Sequence, residues 1–594
     1  MNAQWDLTEF YTNIKDPKID EDIEKVGKLI SEFNRKYKGK VNTPNITPEK
    51  LGEILEEYIE IAKQSYPYEN YAGLLFARNS TDSAIGALHQ RINEIDSKYS
   101  ADLLWFSLER KQWSEETALK MINSPALSKY KHFLEFERVL IPHILSEKEE
   151  RILNLFSPVG AGAFVRLYEE TQSNTEFELE VDGEVKKLSL SGINKLVSFH
   201  EDRGVRQRAT EVVAKKFEAN KLPYTFILNT LLLDSKIGDE VRNFKYPQES
   251  TFLEYEVKPE TVSNMVKTVE TGYPVVERFY KAKAKILKLE KLHEWDRYSA
   301  IYPSAKKEFS WEETKELVLT AFERFDKRFA EIAKEFFDRG WIDADVTKGK
   351  QAGAFCSYGI PTEHPFILMN FTGELNDVLT LAHELGHGIH AYLSREQSIF
   401  EFHSSTAIAE IASIFAESLV FDLLQEKINS EEIKVNLLAE KLQGSFATVF
   451  RQTAFYLFES DIHTHRRERG ELTTGEFSNH YQNRLQKMFG KSLELSEWHK
   501  YMWMPISHFY HYNFYVFTYA FGELLTVALY AKYKMEGKKF VSKYLEALSM
   551  GGSKNPYEIT KAMGVDINEE NFWKNGLELL DGYVTEFEKL ASQP

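Results

Sequence analysis

The sequence predicts a mainly α-helical protein with small β elements. Three observations carry this expectation. Nine long segments repeat apolar residues at helical spacing, with charged residues on the opposite face. Only 17 prolines punctuate the 594 residues, and few fall inside those segments. Strand signals are confined to a hairpin pattern and one short apolar run.

From the N-terminus, helical patterning covers 20–36, 51–64, 84–110 and 146–156. The hairpin comes next. Glu176-Phe177-Glu178-Leu179-Glu180-Val181 alternates, Asp182-Gly183 supplies the turn, and Glu184-Val185-Lys186-Lys187-Leu188-Ser189-Leu190 returns. Helical patterning resumes over 201–220, 259–288 and 311–338. Phe366-Ile367-Leu368-Met369-Asn370-Phe371 reads as a short extended segment. An apolar, helix-favouring run over 378–393 follows, then a second over 406–421. The runs at 431–469 and 521–535 complete the set. A chain of this length exceeds what one compact core supports. The expected division is an N-terminal helical region with the hairpin (1–200) and a region carrying the chemistry (201–594).

Composition narrows the partners. Hydrophobic residues make up 43% and charged residues 28%, as in ordinary globular proteins. The net charge of −17 repels phosphate, so no nucleic acid partner is expected. No run of about eighteen apolar residues occurs, so no membrane span is expected. The opening Met1-Asn2-Ala3-Gln4-Trp5-Asp6-Leu7 lacks the basic and apolar blocks of a signal peptide. Cys356 is the lone cysteine, which excludes an internal disulfide framework and fits a reducing compartment. The expected location is the cytoplasm.

The chemistry centres on His383-Glu384-Leu385-Gly386-His387, an HExxH motif. Residues four apart lie on one helix face, so both imidazoles aim at one ion. Zinc is the cofactor this spacing predicts, one per chain, with Glu384 as general base. A catalytic zinc needs a third protein ligand. The pattern HExxHxxGxxH fails, because His390 stands where glycine belongs and Leu393 where histidine belongs. The alternative is a glutamate from a following helix. Thr406–Phe421 is almost wholly apolar apart from Glu410 and Glu417, two turns apart on one face. Buried carboxylates need a counter-charge. Glu410 is therefore the expected third ligand, and Glu417 the carboxylate that holds an imidazole N–H. Glu396 and Glu401 lie in a polar connection and rank lower; His390 and His403 are expected to pack or to support a ligand rather than to bind the metal. The ligand set does not exclude manganese or cobalt.

These residues resemble the thimet oligopeptidase family, and more closely its oligoendopeptidase F branch. Four stretches carry the resemblance. They are Trp5-Asp6-Leu7; the 366–371 segment leading into Thr380–His387; Glu410 to Ser413; and Ala547–Ser553 with Gly564-Val565-Asp566 and Phe572-Trp573. The resemblance implies a two-lobed helical shell around a deep channel, with a small sheet near the metal. It also implies zinc-dependent cleavage of internal bonds in short unfolded peptides. Amide hydrolysis builds negative charge on the carbonyl oxygen, and a preorganised donor is expected to share it with the metal. The family uses a histidine followed by spaced tyrosines. His508, Tyr512 and Tyr519 match that pattern in the phenol- and imidazole-rich stretch 505–519, with Tyr510 and Tyr515 as alternatives. Substrate backbone is expected along a strand edge, at 366–371 or Gly353-Ala354.

Other signals are weaker. Gly160-Ala161-Gly162 lacks the third glycine of a nucleotide loop, and Gly551-Gly552-Ser553 lacks the glycine after serine of a nucleophile elbow. His463–Arg469 has mixed charge and suits a solvated helix end. Cys356 is expected to be buried and inert. Two rival readings are an exopeptidase releasing C-terminal dipeptides and an inactive peptide-binding shell. A structural zinc is disfavoured, since closed structural sites are cysteine-rich.

Overall fold

The computed structural model describes residues 3–592, so the Met1-Asn2 pair of the N-terminal reading lies outside the described residues. The described residues are mainly helical, with three small sheets. The chain forms two compact units, each assembled from three stretches of sequence. The first comprises Met1–Ile141, Glu308–Leu424 and Glu536–Val565. The second comprises Pro142–Lys307, Gln425–Met535 and Asp566–Pro594, and position 200 falls within it.

The first unit opens with helices Pro17–Tyr37, Pro48–Arg78 and Ser83–Lys111. Each start is capped by a side chain. Asp16 accepts from the Lys18 amide, Thr47 from Lys50, and Asp82 from Ala84 and Ile85. Ile19, Ile23, Val26, Ile30 and Phe33 follow helical spacing and are buried, along with Leu51, Ile54 and Leu55 of the second helix. That second helix runs well past the expected end at residue 64 and carries Pro67 in its interior. Tyr66, Tyr68 and Tyr71 are buried beside the proline, and tertiary packing outweighs the lost backbone bond.

This unit also holds a three-stranded sheet. Phe366–Leu368 is its fully buried central strand, with Ile342–Asp343 parallel on one side and Phe355–Ser357 antiparallel on the other. The N-terminal segment is fastened to it: the Trp5 indole donates to the Trp341 carbonyl (3.0 Å), and the Trp5 amide to Asp343 Oδ2 (3.4 Å). Asp343 also receives Lys350 Nζ at 2.6 Å, and both side chains are sealed from water. A buried ion pair of this kind is destabilising unless its remaining groups are bonded. Here Lys350 also donates to the carbonyls of Asp343 and Asp345.

The second unit carries the hairpin, with Phe177–Val181 antiparallel to Glu184–Leu188 as the alternation predicts. Asp182 (φ 56°) and Gly183 (φ 81°) form the turn, a left-handed pair that this dipeptide tolerates. Three expected helices are divided. The 259–288 run breaks at Gly272, ahead of Pro274 in the first turn of the next helix. The 311–338 run, in the first unit, breaks at Asp326, whose extended backbone and side chain cap the second piece. The 431–469 run passes through a π-helical turn, Phe446–Arg451. Among the described residues, no helix is long and apolar enough to cross a membrane.

Candidate metal centre

The motif lies on helix Leu375–Ser394 of the first unit. Its start is fixed by Asp377, whose Oδ2 accepts the amides of Thr372 (2.7 Å), Gly373 (2.9 Å) and Glu374 (3.2 Å). A carboxylate in the first turn also suits the helix dipole. The acidic helix, Thr406–Lys427, crosses it closely. Gly386 makes that approach possible. A Cβ there would stand 2.5 Å from the Ala412 carbonyl oxygen and 2.6 Å from Ser413 Cα, inside any tolerable contact. Two residues on, on the opposite side of the same helix, Gly388 leaves room for the Phe336 ring in the same way.

Three side chains converge across this crossing. One ligand atom from each of His383, His387 and Glu410 can be chosen so that all lie within 4.8 Å of one another. Glu410 Oε2 is 3.5 Å from His383 Nε2 and 3.7 Å from His387 Nε2. The two imidazole centroids are 5.0 Å apart. Ser413, one turn on, donates to Glu410 Oε2 at 2.7 Å and orients that carboxylate. Glu417 Oε2 faces the other nitrogen of His383, Nδ1, at 3.7 Å.

The electrostatics are those of a cation site. Among the described residues, no lysine or arginine forms an ion pair with Glu410; its carboxylate faces the two imidazoles, and Glu384 feels its charge. Burial lowers the His383 pKa, but the Glu417 hydrogen bond and the carboxylates of Glu410, Glu417 and Glu384 outweigh it, and the net shift is upward. Burial and the charge of His383 push His387 down to about 4. Burial lifts Glu384 to about 7, against the pull of His383. Two imidazoles and a carboxylate meeting at one point form a donor set suited to zinc. The residues present therefore fit the ion.

The remaining candidates have distinct surroundings. His390 is buried, is hydrogen-bonded to the backbone of Ala409 and Leu548, and is pushed down to about 4 by burial. His403 Nε2 meets the Gly359 carbonyl at 3.1 Å, and its ring stacks on Tyr358. Glu401 is buried and accepts the Phe133 amide at 3.2 Å, whereas Glu396 is exposed. Cys356 pairs with Ile367 in the sheet, and burial, then the Glu384 charge, hold its thiol well above its ordinary range. The strand expectation needs correction. Phe366–Leu368 is bonded on both sides, so it offers no edge; the edge strand beside it is Phe355–Ser357, directly after Gly353-Ala354.

His508, Tyr510, Tyr512, Tyr515 and Tyr519 belong to the second unit. His508 Nε2 lies 3.1 Å from Tyr519 Oη, and its ring lies parallel to that of Tyr515. Tyr512 is 64% exposed. Tyr510 is buried and stacked on Tyr168 with centroids 3.9 Å apart. Between Tyr512 and Tyr515, Phe514 adopts a left-handed backbone (φ 58°), and its amide donates to the buried Glu459 at 2.9 Å.

Two residues near the cluster were given no role by the sequence. Ser413 stands three residues after Glu410, a helical spacing that could have flagged it. Tyr358 lies on the chain after the edge strand and feels the Glu410 charge; no local pattern marks it.

The model of peptidase family M3 matches residues 197–579, well over half of the chain. The chain belongs to peptidase family M3. An oligopeptidase F model matches residues 109–177, which places the chain in that branch of the family. Oligopeptidase PepF of Bacillus subtilis is 28% identical over 99% of this chain and 87% of its own length. An oligoendopeptidase F homolog of Borreliella burgdorferi is 27% identical over 99% of this chain and 98% of its own. The crystal structure of oligoendopeptidase-F from Enterococcus faecium shares the fold with a TM-score of 0.71 at 23% identity, covering 96% of this chain and 98% of that one. M3 membership makes the chain a peptidase of the kind that acts on oligopeptides.

Proposed function

We propose that this M3 peptidase is a zinc-dependent endopeptidase that hydrolyses internal bonds of short unfolded peptides. The observation that carries the reading is the convergence of His383, His387 and Glu410 within 4.8 Å, with Glu384 beside them on the motif helix. The peptidase region is assigned to 201–594, with 1–200 ahead of it. The three converging residues would hold the zinc. When bound, zinc supplies Lewis acidity, which polarises the scissile carbonyl and makes a water a better nucleophile.

The protein's own groups do the rest. Glu384 accepts the proton of the attacking water on its carboxylate and returns it to the leaving amine. A base lifted towards neutrality binds that proton firmly enough to take it and loosely enough to give it back. Glu417 Oε2 faces His383 Nδ1 at 3.7 Å and favours the proton on that nitrogen, which leaves Nε2 with its lone pair turned to the Glu410 side. Ser413 keeps Glu410 from swinging away. Donation to the developing oxyanion is assigned to His508, Tyr519 and Tyr512. The sequence resemblance and the His508–Tyr519 contact support this. The free edge of Phe355–Ser357 is assigned to substrate backbone. The water is the nucleophile throughout, and no acyl-enzyme forms.

The test is cleavage of an internally quenched peptide with both ends blocked, comparing wild type with Glu384→Gln and measuring metal content of each. Internal cleavage by wild type, with a loss of about 10²–10⁴-fold in the variant at equal zinc, is the expected result. Equal zinc with no cleavage by either protein would sink the endopeptidase reading.

A further inference from the structure

Helix Gln452–Arg469 of the second unit buries Phe455, Phe458, Glu459, Ile462 and His463. That spacing is a core face, where an apolar side chain at position 459 would pack at no polar cost. Glu459 is nevertheless 2% exposed. Its Oε1 accepts the Phe514 amide at 2.9 Å, across 55 residues of sequence. Its Oε2 is sealed from water without a donor. Burial pushes the carboxyl up to about 8, against the lowering effect of that amide. An acid that keeps its proton at neutral pH accepts through its carbonyl oxygen.

The amide it receives belongs to a strained residue. Phe514 has φ 58°, a region that bulky side chains rarely adopt and that persists only where the surroundings fix it. The neighbouring Asn513 is tied on both sides: Thr251 Oγ1 donates to its carbonyl (3.0 Å), and its Nδ2 donates to Ser235 Oγ (3.1 Å). The Phe514 ring is buried 4.6 Å from the His463 ring and 6.0 Å from that of Tyr456. Residues 512–516 join helix His508–His511 to helix Phe517–Glu536, so their bend sets how His508 stands against Tyr519. Tyr515, directly after the bend, places its ring 6.1 Å from His508 and 5.3 Å from Tyr519.

We infer that Glu459 is a positioning residue: by accepting the Phe514 amide it fixes the left-handed bend of 512–516, and with it the mutual arrangement of His508, Tyr512, Tyr515 and Tyr519. Glu459 acts through the bend and touches no reacting atom. The inference rests on the donor role proposed above for His508, Tyr512 and Tyr519.

The test uses the zinc-loaded full chain and an internally quenched peptide with blocked ends, well below the Tm of every variant. Glu459→Met fills similar space without an acceptor. Its kcat should fall by about 10–10²-fold at unchanged KM and zinc content. Amides of 512–516 should exchange with deuterium faster than in wild type. Glu459→Gln keeps a carbonyl for the amide and should recover most of both. A merely structural Glu459 would lower the Tm of the Met variant and leave kcat intact. Glu459→Asp, whose shorter arm withdraws the acceptor, gives the same reading if the Met variant fails to fold. The inference is overturned if either kcat or the exchange of 512–516 in these acceptor-deprived variants matches wild type. His508→Ala and Tyr519→Phe separate it from the reading beneath it. If they lower kcat while Glu459→Met does not, the positioning role alone falls; if they leave kcat unchanged, the donor role falls and takes the positioning role with it.

Discussion

Glu410 interrupts an almost wholly apolar helix, and that pattern marked it in the sequence as a candidate ligand; in the structure its carboxylate faces His383 and His387. A carboxylate in such a place needs a cation, a set of donors or a proton of its own. His383 and His387 were legible for a different reason: four residues is helix arithmetic. Ser413 and Tyr358 were not, because their relation to Glu410 runs through space and through an ordinary hydroxyl. The orienting contacts yield a prediction. Glu417→Ala frees His383 Nδ1, so zinc affinity should fall by about 10–100-fold. Competition with a chromophoric chelator measures this. Unchanged affinity would remove Glu417 from the site.

Helices were found where their periodicity placed them, and their breaks were not. The Asp326 and Gly272 breaks depend on caps and neighbours, and the π turn at 446–451 leaves no mark in apolar spacing. Likewise, the strand at 366–371 was visible, but its central position was not, since pairing partners are distant in sequence. Two predictions belong to this scale. Gly386→Ala inserts a methyl into the 2.5 Å approach to Ala412. The two ligand-bearing helices must part, costing about 1–3 kcal/mol and weakening zinc binding although every ligand is intact. Thermal unfolding and metal titration of the variant check both effects. The second concerns Glu459, buried and lifted by burial to about 8, which accepts the Phe514 amide. Its folded pKa lies above the ordinary 4.5, so the folded state holds the proton more tightly. That contribution is complete below pH 4.5 and is lost as pH rises towards 8. Lys283, held down to about 7, acts oppositely above that pH, since its folded form sheds the proton first. The comparison that isolates Glu459 is therefore wild type against Glu459→Gln. Between pH 5 and 8 the wild-type Tm should fall more steeply than that of the variant.

Over the whole molecule, mainly helical architecture was legible from periodicity and proline scarcity. The three-part make-up of each unit was not, because sequence order says little about which distant stretches share a core. Two expectations act at this scale. Removing zinc withdraws ligand-linked stability, so chelation should lower the Tm of wild type and leave that of His383→Ala unchanged. A net charge of −17 attracts cationic peptides over a Debye length. kcat/KM for a lysine-rich peptide should therefore decline with added salt at constant chloride, while that for a neutral peptide of equal length holds steady.

The stitch between Trp5 and the strand region near Trp341 has a consequence for biosynthesis. Its two partners are separated by 336 residues. At ribosomal speeds of about 5–20 residues per second, the indole waits roughly 15–70 s before its acceptor carbonyl exists. Phe366, against which the same ring packs edge-on, is made later still. The first helices can form as they emerge, but the sheet that leads into the motif helix cannot close until Leu368 has been made. Until then Trp5 lacks both the carbonyl that accepts its indole N–H and the Phe366 ring that covers it.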